Sequence, residues 1–224
     1  MFVNVPSAES QANGPPAKQL VPHPPTLQAL RQAAAGCRAC DLWRLGTRTV
    51  FGEGPAPAPL ALVGEQPGDR EDLEGRPFVG PAGAVLDRAL TDAGLRRDQV
   101  YLTNAVKHFR WERRGKRRLH QKPDPEHVAA CWPWLRAEVE VVRPRLLVCL
   151  GATAAQAVLG SAFRVLRDRG RFFPSPLGVA VMATVHPSSI LRAPDPEARE
   201  RAYADFVTDL RTAVARLRED DGGR

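Results

Sequence analysis

The chain alternates between short apolar runs and longer segments with a helical period. Leu60–Val63 is continuously apolar and too short for a helix, so it reads as a buried strand. Val100–Asn104 alternates, Leu146–Leu150 is again apolar, and Val179–Val185 completes a set of four predicted strands. Helical patterns fill the intervals. Thr26 is placed to cap Leu27–Ala35, which carries Leu27, Leu30 and Ala34 on one face. Further helices are predicted over Ala82–Ala93, stopped by Gly94, over Pro125–Val142 and over Ala152–Leu159. The last, Pro196–Leu217, brings Ala202, Phe206, Leu210, Val214 and Leu217 to one face. Strands alternating with helices predict an α/β fold with a parallel sheet between helical layers. Residues 1–25 lack any apolar period and read as a disordered leader, which leaves 26–218 as one domain and 219–224 as a flexible tail.

One stretch interrupts this alternation. Gly64–Gly83, GEQPGDREDLEGRPFVGPAG, has five glycines and three prolines, and it predicts twenty residues without regular structure. It leaves the first strand at its carboxyl end, where open α/β sheets bind ligands. Glu65, Asp69, Glu71, Asp72 and Glu74 make it acidic, yet Phe78-Val79 is apolar. A solvated surface loop would have the charges alone. Glycines that allow close backbone approach, together with an apolar pair inside the polar stretch, favour a site.

Composition adds a partner. The net charge is +7, and 28 of the 32 basic residues are arginine, the side chain best suited to gripping phosphate in fixed geometry. Lys107–Asp124, KHFRWERRGKRRLHQKPD, concentrates eight Lys/Arg against Glu112 and Asp124 and interleaves them with Phe109 and Trp111. A solvated charge run is the plain alternative, but a cationic arm leaving the same sheet edge as the acidic loop suits a nucleic-acid backbone. Within the arm, His120 is flanked by Lys116, Arg117, Arg118 and Lys122, cations expected to keep its imidazole neutral. His186 heads HPSS at the end of the fourth strand, so that Glu65, Asn104 and His186 leave three strands at one edge. No apolar run reaches 18 residues, so no membrane span is predicted. The N-terminus has neither a secretory nor a transit pattern, so a cytoplasmic protein is expected.

The four cysteines, Cys37, Cys40, Cys131 and Cys149, begin with a C-x-x-C directly after the first helix. Four thiolates suit tetrahedral zinc or a [4Fe–4S] cluster, and spacing does not separate the two.

GEQPGDREDLEGRPFVGPAG, TNAVKH, the cysteine spacing, GATAA at 151–155 and HPSS together resemble family 4 of the uracil-DNA glycosylases, over about residues 27 to 217. Gln66, where the common loop has Ala, and KRRLH at 116–120 resemble the UdgX subgroup, with Leu119 in place of isoleucine. The resemblance implies a three-layer α/β/α fold around a four-stranded parallel sheet. It also implies a [4Fe–4S] cluster on Cys37, Cys40, Cys131 and Cys149, and a monomer acting on uracil-containing DNA, single strands included. Phe78 would stack on the flipped base, Asn104 would read its edge, and His186 would stabilise the departing uracil. Gln66, Gly68 and Asp69 would line the substrate site. Lys116, Arg117, Arg118, Ser188 and Ser189 would contact DNA. His120 would attack the sugar C1′ and remain attached, with Glu65 orienting or deprotonating it.

Overall fold

The computed structural model describes residues 14–222, with side chains described as far as residue 219. Its strands are β1 (Leu60–Gly64), β2 (Val100–Asn104), β3 (Trp111–Arg114), β4 (Arg117–His120), β5 (Leu146–Leu150), β6 (Phe172–Phe173) and β7 (Ala180–Thr184). The helices are α1 (Ala17–Leu20), α2 (Leu27–Ala35), α3 (Asp69–Glu74), α4 (Pro81–Asp92) and α5 (Pro125–Val142), followed by α6 (Ala152–Leu159), α7 (Val165–Asp168), α8 (Pro187–Leu191) and α9 (Pro196–Gly222). The central sheet has the order β2-β1-β5-β7-β6, with β2, β1, β5 and β7 parallel. The expected four-stranded sheet thus gains a fifth strand, β6, antiparallel to β7. Two residues between Arg171 and Pro174 are too short to leave a periodic signal.

Alternation along each strand builds two cores, and burial on both faces is why the parallel strands read as apolar runs. Leu60, Leu62, Leu102, Val148 and Met182 face Leu86 and Leu90 of α4 and Phe206, Leu210 and Leu217 of α9. Val63, Leu147, Cys149 and Val181 face Leu135 and Val139 of α5 and Ala154, Ala155 and Val158 of α6. A third cluster joins α1 and α2 to α5 through Ala17, Leu30, Ala34, Phe51 and Trp134.

Three sequence expectations need correction. Residues 1–13 of the expected leader lie outside the described residues, but Ala17 in the remainder is buried in that third cluster. The expected tail from 219 is helical as far as Gly222, because polar residues extend α9 after its packed face ends at Leu217. The Gly/Pro stretch also holds a helix, α3. Glu71 accepts the Gly68 N–H at 3.1 Å and the Gly80 N–H at 2.8 Å, and Gly75 closes the helix at φ 75°. Its glycines delimit structure instead of forbidding it.

The basic arm is a hairpin. β3 and β4 pair antiparallel from Trp111 opposite His120 to Arg114 opposite Arg117, turning at Gly115, φ 62°. His120 therefore sits at the base of the hairpin, beside the sheet edge.

Candidate active site

Gly64 ends β1 in a crowded position. A Cβ there would stand 2.3 Å from Asn104 Oδ1 and 2.7 Å from Phe78 Cζ, so the missing side chain lets amide and ring converge. Phe78 is buried and has φ 54°, a conformation that costs a bulky residue about 1–3 kcal/mol. Its ring stacks toward that of His186, centroids 6.2 Å apart and planes 27° from parallel. Asn104 is fixed from behind by a buried network. Lys107 Nζ donates to the Asn104 carbonyl at 2.7 Å, to Thr103 Oγ1 at 2.7 Å and to Glu138 Oε2 at 2.5 Å. Glu138 also accepts from the Tyr101 hydroxyl at 2.9 Å and the Gly52 N–H at 3.0 Å.

His186 caps α8. Its Nδ1 accepts the Ser188 N–H at 3.2 Å, so in the neutral ring the proton sits on Nε2, as a donor. The Ser188 hydroxyl also bonds Nδ1, at 2.8 Å, and Ser189 donates to the His186 carbonyl at 2.7 Å. Burial, helped by His120 and Arg192, lowers the His186 pKa to about 4.

Glu65 follows β1 and meets two partners. One oxygen accepts from Thr153, at the start of α6, and the other lies 3.3 Å from His120 Nε2. The pKa of His120 is lowered, first by burial, against the pull of Glu65 and with the help of Arg192. The shift runs in the direction expected from the sequence, but it comes from partial desolvation of a ring still 48% exposed and from Arg192, not from the hairpin cations.

Several predicted contacts serve the hairpin itself. Gln66 uses both ends of its amide on the hairpin base: Nε2 donates to the carbonyls of Arg110 at 3.2 Å and Gln121 at 2.9 Å, and Oε1 accepts the Arg110 N–H at 3.2 Å. Arg118 bonds Asp69 and Asp72 at 2.6 Å each and lies over Phe109 and Trp111. Asp69 is thereby engaged by Arg118, and Gly68 caps α3. Lys107, counted in the cationic arm, is fully buried, whereas Lys116 and Arg117 are exposed near the hairpin turn. Sequence reasoning missed Thr153 and the Lys107 network. Glu138 alone left a trace, a carboxylate spaced between Leu135 and Val142 on the buried face of α5.

All four cysteines are free and buried. Trp134 of α5 donates to Cys37 Sγ at 3.3 Å, and the free thiols of Cys40 and Cys131 share a hydrogen bond, which lowers the Cys40 pKa and raises that of Cys131. Both contacts lie on one face of α5, one turn apart. Cys149 sits in β5 among apolar side chains, where burial pushes its thiol up. Among the described residues no group of three or more potential ligands is arranged for a metal ion. The donor set still fits a thiolate-bound group: no thiol is spent on a disulfide, and Trp43, three residues after Cys40, has a buried Nε1–H without a partner. Among the described residues no helix is long and apolar enough to cross a membrane.

The family model described as the uracil DNA glycosylase superfamily matches residues 51–211. The type-4 uracil-DNA glycosylase of Thermotoga maritima is 36% identical over 181 residues, which cover 80% of this chain and 91% of that protein. The type-4 enzyme of Archaeoglobus fulgidus is 37% identical over 177 residues, with 76% and 84% covered. A type-5 uracil-DNA glycosylase of Pyrobaculum aerophilum is 34% identical over 183 residues, with 74% and 77% covered.

Proposed function

The chain belongs to the uracil-DNA glycosylase superfamily, and from that premise we propose that it excises uracil from DNA and then captures the sugar covalently on His120, as in the UdgX subgroup. The observation that carries the second half is the carboxylate of Glu65 3.3 Å from the His120 ring, with Thr153 on its other oxygen. In this reading uracil is flipped onto Phe78 and its polar edge is read by Asn104. The C1′–N1 bond breaks, its electron pair leaves with the base, and the Nε2–H of His186 donates to a carbonyl oxygen on which charge collects. The remaining sugar cation takes a lone pair from the His120 ring nitrogen that does not face Glu65. The proton on the other nitrogen passes to Glu65, and a neutral N-alkyl imidazole remains. Lys116, Arg117 and Ser189 would contact phosphates. Arg118, Gln66 and Asp69 would hold the hairpin in place.

Hydrolytic release is the competing reading, favoured by the names of the relatives, type-4 enzymes with no trapping specified. Incubation with uracil-containing single-stranded DNA and a denaturing gel separates the two. Suicide capture gives a heat-resistant protein–DNA band. Alkali-labile breaks without that band would mean hydrolysis, and neither product would mean a binding module.

The reading includes a [4Fe–4S] cluster held by Cys37, Cys40, Cys131 and Cys149. The cluster would supply a covalent tie between the first helix, α5 and β5, and no step of the reaction runs through it. Freshly purified protein should hold iron and sulfide in equal amounts. Colourless protein with one zinc per chain would contradict this.

A further inference from the structure

The ring proposed to receive the base sits on a backbone that does not favour it. Phe78 has a positive φ of 54°, and no glycine at that position relieves it. What holds the turn comes from outside it. Arg97, in the 3₁₀ turn Arg97–Gln99 before β2, donates from Nη2 to the Pro77 carbonyl at 2.7 Å and from Nη1 to the Phe78 carbonyl at 2.9 Å. The same guanidinium is held by Asp87 of α4, at 2.8 Å from Nη1. On the opposite side Gly83 gives way: a Cβ there would lie 2.0 Å from the Phe78 carbonyl oxygen. Two consecutive carbonyls are thus gathered by one planar fork, a geometry that lysine cannot reproduce. Arg97 thus bonds the backbone that carries the Phe78 ring.

We infer that Arg97 is a positioning residue for the base-stacking ring: its fork on the Pro77 and Phe78 carbonyls keeps Phe78 in the strained conformation that faces His186. The inference rests on the reading that Phe78 stacks on uracil. Without the fork, the turn can relax to a negative φ, which swings the ring away from the base. The loss should appear in the chemical step and in affinity for the free base, while binding to undamaged DNA is unaffected.

The test is a double-mutant cycle on the full-length protein, using single-turnover uracil release and inhibition by free uracil. Arg97→Met should slow release at saturating DNA on the order of 10²-fold and weaken inhibition by uracil, with affinity for uracil-free DNA unchanged. In a Phe78→Ala background the same change should add almost nothing, since its target ring is gone. Effects that multiply across the two sites would overturn the inference, because Arg97 would then act by another route. If Phe78→Ala itself releases uracil at the wild-type rate, the stacking reading fails, and that result is distinct from failure of the clamp. Should Arg97→Met not fold, Arg97→Lys keeps the charge beside Asp87 but cannot span both carbonyls. It should show the same non-additive loss, and a folded Arg97→Lys with wild-type release and uracil inhibition would also overturn the inference.

Discussion

Asn104 and His120 both border the crevice at the carboxyl edge of the sheet, but they are held there differently. Asn104 ends a strand paired along its whole length with β1, and the ladder continues past the strand ends, with the Val106 N–H on the Glu65 carbonyl at 3.0 Å. His120 ends a two-stranded hairpin whose ties to the body are side chains: Gln66, the Arg118 pairs with Asp69 and Asp72, and Trp111 Nε1 on the Leu45 carbonyl at 2.8 Å. The wall that carries Asn104 is thus part of the core, whereas the histidine arrives on an attachment that a few substitutions can loosen. The teaching of this difference is that base release and sugar capture, although they share one crevice, should be separable.

The largest effect should come from His120→Ala. It should abolish the adduct on a denaturing gel while uracil release continues, since Phe78, Asn104 and His186 are untouched; loss of both together would tie the two regions into one unit. Acid should act first on the wall. His186 has a folded pKa of about 4, below the ordinary value of 6.5. It is neutral in both states above pH 6.5, so it costs nothing there. As pH falls from 6.5 to 4 the unfolded chain takes up the proton first, and stability should drop by about 3 kcal/mol and then level off. Urea titrations of wild type and His186→Gln across that window measure it, and parallel curves would contradict the assignment. Arg118→Ala should cost less, on the order of 1–3 kcal/mol, because the fully buried Asp72 carboxylate loses its cation but still accepts the Thr47 N–H at 2.8 Å, and the core is spared. Its adduct yield should fall more than its rate of uracil release. The smallest effect is expected at Lys116. If it contacts a phosphate, Lys116→Ala should lower the log–log salt slope of DNA binding by about 0.7–0.9 without altering either chemical step.

The two regions also differ in how far the sequence disclosed them. Strands β1, β5 and β7 announced themselves as apolar runs, as burial on both faces requires, and β2 by its alternation, and the strand-end rule then put Glu65, Asn104 and His186 at one edge. The hairpin gave no such signal. Trp111–Arg114 and Arg117–His120 are charge-dense, with mostly exposed side chains, so nothing apolar alternates. Only Gly115 marked the turn. Lys107 was hidden for the opposite reason, as a buried cation at the head of a basic run whose partner, Glu138, is 31 residues away. Gln66 and Arg118 entered as substrate and DNA residues through the family resemblance, and their bonds to the hairpin base and to Asp69 and Asp72 depend on tertiary contacts that composition does not reveal. Phe78 read as a loop aromatic; its positive φ and the Arg97 fork depend on tertiary contacts that no local pattern encodes.

The central claim is that His120 forms the bond to C1′. The most direct test is mass spectrometry of a digest of the wild-type protein after reaction with a uracil-containing single strand. The account predicts the peptide carrying His120 heavier by the base-free nucleotide remnant, with fragment ions placing that mass on the imidazole. The same mass on any other residue, or an unmodified His120 peptide beside abasic DNA, would contradict it.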